Sequence, residues 1–253
     1  GSHLIKKLID NGEKVICIDD FSTGSHKNIE KWQSNNKFEL IEHNVLKPID
    51  LKVNKIWHLA CPASPMHYQN DPIKTSKINF IGSYNMLNLA KQNNAKILLA
   101  GSSEIYGDAT DHQLIESYNG SVSTTGKRSC YTEGKRIAET LFFDFYRNYQ
   151  VDIKIARIFN CYGPNMLPND GRVISNFICQ ALNNELLTIY GRGNQTRSFC
   201  FIDDLIEGLI KFMNSKEHGP MNFGNDLEEY TIKDLAYLIK EKINPLIRFK
   251  NCP

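Results

Sequence analysis

Short apolar runs alternate along this chain with longer stretches of helical spacing, and that alternation is what most limits its fold. The runs are Lys14 to Ile18, Phe38 to Glu42, Lys55 to Ala60, Lys96 to Ala100 and Val151 to Phe159. Runs of this length read as strands, and near-continuous apolar strands are buried on both faces, as in a parallel sheet. Between them lie helical patterns from Ser2 to Asn11, from Pro72 to about Asn93, and from Tyr131 onward. Asp71-Pro72 is a helix start, with Asp as N-cap and Pro at the first position. Strand and helix in alternation predict an α/β fold with a doubly wound parallel sheet. After Phe159 the pattern changes, so the chain divides into a region 1–159 and a smaller C-terminal region 160–253.

Composition narrows the class. The 253 residues are 41% hydrophobic and 23% charged, an ordinary globular balance with enough apolar material for a core. A net charge of +2 is too small to argue for nucleic acid or a membrane surface. No apolar run approaches the roughly 18 residues that a membrane span needs. The seven cysteines include no C-x-x-C pair, so neither a zinc site nor a disulfide framework is indicated. A reducing compartment, and hence the cytoplasm, is favoured. Gly1 to Ile9 reads as helix with no strand before it, like the second half of a βαβ unit. The expected missing half is a first strand with its glycine turn. An absent N-terminus would hide any anchor, and a secretory-pathway lumen stays open.

Two segments carry the chemistry. Ser102-Ser103-Glu104-Ile105-Tyr106-Gly107 follows the run Lys96 to Ala100, at the end of a buried strand. Tyr131-Thr132-Glu133-Gly134-Lys135 opens a helix, where Tyr131 and Lys135 share one face a turn apart. A hydroxyl (Ser103), a phenol and an ammonium converging where a sheet ends can move a proton off an alcohol while hydride leaves the same carbon. The Tyr and Lys spacing alone is equally a surface pair on a helix. Asp19, closing the strand Lys14 to Ile18, stands where a Rossmann-like dinucleotide fold binds the adenosine ribose, and its charge favours NAD over NADP. Its plain alternative is a solvated or capping carboxylate. Thr23 and Gly24 lie in a turn on the adenosine side, and Asn44-Val45 follow the next strand toward the adenine. Leu59, Ala60 and Cys61 end the strand from Lys55, at the sheet edge where ligands of open α/β folds sit. Cys61 there is a small backbone-contact residue rather than a nucleophile.

Further along, Asn169 to Arg172 reads as a turn, Val173 to Leu182 as helix, Leu187 to Tyr190 and Phe199 to Ile202 as strands, and Asp203 to Asn214 as helix. Thr231 caps a helix to about Ile243, and Pro245 to Phe249 reads as a strand. Apolar and aromatic stripes on the helices around Phe80, Tyr84, Phe145 and Tyr149 suggest core or a homodimer surface.

The order of elements and these motifs resemble the extended short-chain dehydrogenase/reductase family of nucleotide-sugar enzymes. The segments that carry the resemblance include His58 to Pro65, Ser102 to Gly107, Cys130 to Glu139, Ala156 to Asn160, Asn169 to Phe177 and Gln195 to Phe199. Ser103-Glu104 resembles the decarboxylase branch acting on UDP-glucuronate; 4-epimerases usually lack the acid and 4,6-dehydratases usually carry Asp-Glu there. Glu104 capping a loop is the bland alternative. The departures are Gly101-Ser102 where the decarboxylases carry Ser-Thr, Asn44 where Asp is usual, and Lys127 where Pro is usual.

The resemblance implies NAD as a held cofactor, oxidation of the sugar at C4, loss of the C5 carboxylate as CO₂, and return of the hydride to give UDP-xylose. It implies catalytic roles for Tyr131, Lys135, Ser102, Ser103, Glu104 and Arg197, and cofactor contacts at Gly1, Ala100, Tyr131 and Lys135 beside those already named. Asn160, Arg172, Asn176, Tyr190 and Arg197 are the implied UDP-sugar contacts, with Arg172 as a plain surface charge its alternative. Ionising a free Tyr at neutral pH needs about 4 kcal/mol. One ammonium at roughly 6 Å and an effective dielectric near 20 supplies about 2.8 kcal/mol. Lys135 alone is therefore expected to fall short, leaving Tyr131 better activated when the positive nicotinamide is present. The competing readings are a dehydratase or epimerase of the same fold and a non-catalytic sugar-nucleotide binder.

Overall fold

The computed structural model describes residues 1–107, 114–168 and 170–252. Asn169 of the expected turn lies outside them, as does part of the stretch between Gly107 and Arg128. In chain order the elements are α1 (Ser2–Asp10), β1 (Val15–Asp19), β2 (Phe38–Glu42), β3 (Lys55–His58), α2 (Pro65–Asn70), α3 (Pro72–Lys77), α4 (Ser83–Asn93), β4 (Lys96–Ser102), α5 (Ser129–Tyr149), β5 (Ile153–Ile158), β6 (Asn160–Tyr162), α6 (Val173–Leu182), β7 (Leu187–Tyr190), β8 (Thr196–Phe201), α7 (Ile202–Asn214), β9 (Met221–Phe223), β10 (Glu229–Thr231), α8 (Ile232–Ile243) and β11 (Phe249–Cys252). They form two compact units, Gly1–Ile158 with Ile206–Phe223, and Phe159–Leu205 with Gly224–Pro253.

The first unit is a Rossmann-like α/β fold. Its strands run β3-β4-β5-β9, all parallel, beside a parallel pair β1-β2. The apolar runs of β4 and β5 are buried on both faces, with Ile97, Leu98, Ile153 and Ile155 fully inaccessible. Leu87 from α4 and Ala138 and Phe142 from α5 close over them. Each such large side chain contributes roughly 1.5–3 kcal/mol of burial. β1 departs from the expected buried strand. It is not hydrogen-bonded to β3, and all five of its residues are only half-buried. One edge of β1 faces a cavity of about 290 Å³ bounded by α1, β1 and β3.

The helix starting at Pro72 is capped as expected, Lys74 N donating to Asp71 Oδ1 at 2.8 Å. It is not continuous. A π-helical turn, Ile78–Gly82, separates α3 from α4. Buried Asn79 sits in that turn and donates from Nδ2 to the Thr75 carbonyl at 3.1 Å. Gly134 of α5 lies against it; a Cβ there would come within 2.6 Å of Asn79 Nδ2. Glycine at 134 is thus what lets the helix carrying Tyr131 and Lys135 approach so closely. Helix α2 follows the proline-rich stretch Cys61 to Pro65, which by itself reads as a break in the chain. Pro65 instead takes the first helical position, where its missing N–H costs nothing.

A charged network lies under the site. Arg157 of β5 makes a bidentate pair with Glu139 of α5 at 3.1 and 2.9 Å, both side chains 10% exposed. Its remaining donors reach the Tyr106 hydroxyl and the Glu116 carbonyl, each at 2.9 Å. Among the described residues no buried side-chain nitrogen or oxygen is left without a partner.

In the second unit α6 and α8 cover a core of Phe177, Leu187, Leu235 and Ala236. Its sheets are β10-β8-β6 and β11-β7. Strands β6 and β10, three residues each, are too short to show a period in sequence. β8 starts at Thr196, earlier than expected. The strand expected at Pro245 to Phe249 lies instead at Phe249–Cys252. The Asn244 side chain accepts from Leu246 N at 3.2 Å, and this local turn pre-empts extended structure around Pro245.

Candidate active site

Strand β4 delivers its last residue, Ser102, to the edge of the sheet, and a 3₁₀ turn, Ser103–Tyr106, follows. The Ser102 hydroxyl accepts from Glu104 N at 3.2 Å and caps that turn. From below, fully buried Tyr106 donates to Asn222 Oδ1 at 2.7 Å. The turn is therefore fixed, and Glu104 is displayed on it half-exposed, beside half-buried Ser103. Helix α5 places Tyr131 in its first turn and Lys135 one turn later, both 5% exposed.

Burial pushes the Tyr131 phenol well above its ordinary value, the neighbouring Cys61 adds to the rise, and Ser102 pulls the other way. Lys135 Nζ stands 5.8 Å from the Tyr131 ring centre and donates to the Ala100 carbonyl at 2.8 Å. The relief expected from the ammonium is outweighed by burial. Tyr131 as it stands here keeps its proton.

Buried His58 ends β3 and shares a 3.1 Å hydrogen bond with Ser83 Oγ. Burial, then the Lys135 charge, hold the imidazole neutral, its pKa lowered from 6.5 to about 3. On unfolding it regains ordinary basicity, so between pH 6.5 and about 3 the unfolded state binds a proton that the native state refuses. Stability should fall as pH drops below 6.5, by up to about 1.4 kcal/mol per unit for this residue. Urea midpoints from pH 6.5 to 4.5 measure it, and His58→Gln should flatten that slope.

Two groups at the site were not foreseen. Tyr68 of α2, 1% exposed, stacks on Tyr131 with ring centres 4.8 Å apart and planes 10° from parallel. Arg128, just ahead of α5, donates from Nε to the Tyr68 hydroxyl at 3.0 Å and pairs through Nη2 with the Glu104 carboxylate. Arg128 was legible in principle, lying three residues before Tyr131 at a helix start. Tyr68 left no signal, because α2 itself was not foreseen.

The residues expected to hold the dinucleotide gather in the first unit. Gly1, Asp19, Thr23, Asn44, Val45, Leu59, Ala60 and Cys61 all line the cavity beside β1 and β3. Asp19 Oδ1 accepts from Phe21 N at 2.8 Å, and its carboxylate lies against Gly24, where a Cβ would come within 3.3 Å. Asn44 has a second task, donating to Asp20 Oδ2 at 3.0 Å. An acidic acceptor at the carboxyl end of β1 and the N-terminus of α1 on one cavity fit ribose hydroxyls and a pyrophosphate. These residues are compatible with NAD.

The expected sugar-nucleotide residues lie in the second unit. Asn160 and Arg197 stand on the paired strands β6 and β8; Asn160 Nδ2 donates to the Ser198 carbonyl at 3.3 Å and Arg197 Nη1 to the Thr196 carbonyl at 2.7 Å. Arg172 and Asn176 share the start of α6, Asn176 N bonding the Arg172 carbonyl at 3.0 Å. Two guanidinium nitrogens of Arg172 pair with buried Asp170, so this arginine is more than a loose surface charge. Tyr190 ends β7, 63% exposed.

Among the described residues no helix is long and apolar enough to cross a membrane. Residues 1–224 match the model of the NAD dependent epimerase/dehydratase family. The chain is 52% identical over 251 residues to UDP-glucuronic acid decarboxylase 3 of Arabidopsis thaliana, covering 99% of this chain and 73% of that protein. It is 49% identical over 243 residues to UDP-glucuronic acid decarboxylase 1 of Danio rerio, covering 96% and 58%. Among solved structures it is similar to UDP-glucuronic acid 4-epimerase from Bacillus cereus in complex with UDP-glucuronic acid and NAD, with a TM-score of 0.87, 25% identity, and 99% and 82% of the two chains covered. The buried Tyr131 and Lys135, the Ser102–Glu104 turn and these similarities together establish that the chain belongs to the NAD dependent epimerase/dehydratase family.

Proposed function

We propose that the protein converts UDP-glucuronate to UDP-xylose by an NAD-dependent decarboxylation through a UDP-4-keto intermediate. The observation that carries this reading is that the Ser102–Glu104 turn at the end of β4 is tied through Arg128 and Tyr68 to Tyr131. When bound, NAD would supply a reversible hydride acceptor for the sugar C4. Tyr131 takes the C4 hydroxyl proton, with Ser102 orienting the hydroxyl and Lys135 holding the helix face beside it. A ketone at C4 makes the C5 carboxylate a β-keto acid, so CO₂ leaves as its electrons pass into an enolate. Glu104 then manages the proton at C5. An arginine is a poor proton donor, and tight pairing with the departing carboxylate would stabilise the ground state. Arg197 is therefore assigned to the diphosphate or the developing enolate, beside Asn160, Arg172, Asn176 and Tyr190 on the UDP-sugar.

Glu104→Gln tests the assignment in the full-length protein. NADH should still appear on mixing with UDP-glucuronate and NAD⁺, while CO₂ release falls by about 10²-fold or more. Full CO₂ release would remove Glu104 from the chemistry, and a wild type that releases no CO₂ would overturn the reading itself.

The same reading includes a homodimer. Ile73, Phe80, Ile81, Tyr84, Ile137 and Tyr149 leave 37–69% of their surface exposed along α3, the π turn, α4 and α5. Two helices with an apolar outer stripe on a folded unit fit a helix-bundle interface. Light scattering should give twice the chain mass, and Tyr84→Glu combined with Phe80→Asp should give the monomer. A monomeric wild type would refute it.

A further inference from the structure

One guanidinium joins the two halves of the site. The Arg128 carbonyl accepts from Tyr131 N at 2.9 Å and from Thr132 N at 3.0 Å, so its backbone is locked into the first turn of α5. Its side chain then forks. One nitrogen holds the Glu104 carboxylate, and another holds the hydroxyl of Tyr68, whose ring backs Tyr131 face to face. Tyr68 is itself fixed: Thr75 Oγ1 donates to its carbonyl at 3.2 Å and Cys130 Sγ at 3.6 Å. Arg128 and Glu104 keep 54% and 41% of their side chains exposed. An ion pair so open to water contributes little to the stability of the fold, about 0–1 kcal/mol. Its geometry is better explained by the site it spans. A planar fork with donors on two edges can fix two acceptors relative to one another, which a lysine ammonium cannot.

We propose that Arg128 is a positioning residue that sets Glu104 for the C5 step while leaving the C4 step to Tyr131 and Ser102. This role rests on the decarboxylase reading above. The Arg128 guanidinium holds the Glu104 carboxyl group on its turn, beside the place where C5 must gain a proton once CO₂ has left its electron pair in the enolate. The charged and titratable groups that face Glu104 are Arg128, Tyr68 and Tyr131, with Cys61 on the Tyr131 side. Removing Arg128 frees Glu104 to rotate off its turn. Tyr131 keeps its burial and its stacking on Tyr68, so oxidation at C4 survives.

The experiment compares wild type, Arg128→Ala and Arg128→Lys in the full-length protein with UDP-glucuronate and NAD⁺. NADH absorbance in a single turnover reads the C4 step, and trapped CO₂ reads the C5 step. Arg128→Ala should form NADH at near the wild-type rate and release CO₂ about 10²-fold more slowly, the size of loss a misplaced catalytic group incurs. Added guanidinium ion should restore part of that loss, whereas Arg128→Lys should recover less than guanidinium does. Melting temperatures should stay within about 2 °C of wild type, since an exposed pair contributes little. Parallel loss of NADH and CO₂ without rescue would make Arg128 a structural residue and overturn the proposal, as would an Arg128→Ala enzyme indistinguishable from wild type. No CO₂ from the wild type would overturn the decarboxylase reading and this role with it.

Discussion

Replacing Tyr131 by Phe is expected to lower kcat for C4 oxidation by about 10²–10⁴-fold, the contribution of a positioned acid–base group. The substitution removes one hydroxyl and little else. The ring stays stacked on Tyr68 and buried, so folding and KM should change little. NADH formation in a single turnover with UDP-glucuronate is the measurement. A variant that keeps a tenth of the wild-type rate would mean that another group takes the C4 proton. The same phenol gives a second observable. Burial holds it protonated here, so a spectrophotometric titration of Tyr131 should shift downward when NAD⁺ binds, because a positive ring at the site opposes the cost of burying a phenolate.

Arg157→Met should be strongly destabilising. It leaves the Glu139 carboxylate buried without its bidentate partner and strips the hydrogen bonds to Tyr106 and Glu116. Breaking such a pair from one side costs about 3–5 kcal/mol. For a chain of this size that is roughly a 10 °C fall in Tm. The double variant Arg157→Met with Glu139→Leu should recover much of the loss, because the uncompensated charge is gone. The exposed pair Glu207–Lys211, 59% and 74% accessible, is the control and should leave the unfolding midpoint unchanged when broken. Thermal and urea unfolding measure all three. An Arg157→Met protein as stable as wild type would show that the network is not what fixes the turn under Glu104.

The elements most legible in the sequence were those with a strong local cause. The run of β4 reads as a buried parallel strand because nothing polar interrupts Ile97 to Ala100, and that of β5 because Ile153, Ile155, Ala156 and Ile158 keep it mostly apolar around Lys154 and Arg157, while Asp71-Pro72 and Thr231 announced their helices through caps that the structure forms. What escaped had a tertiary cause. The π turn at Ile78–Gly82 depends on Asn79 meeting Gly134 across two helices. The half-exposed state of β1 depends on its edge facing a cavity rather than on its own residues. At the site, the Tyr131 and Lys135 spacing and the Ser102–Gly107 segment could be read as one centre, since each is a local pattern. The balance of forces on the phenol could not. Lys135 lies beside the ring, yet burial decides the outcome. Tyr68 and Arg128 complete the cluster from elements that no short-range pattern links to Glu104.

The most direct measurement is the mass of the nucleotide sugar after the full-length protein is incubated with UDP-glucuronate and NAD⁺. Conversion to a UDP-pentose lighter by one CO₂, with NAD⁺ regenerated, is the result this account requires. Conversion at unchanged mass to the C4 epimer, or no conversion at all, would contradict it.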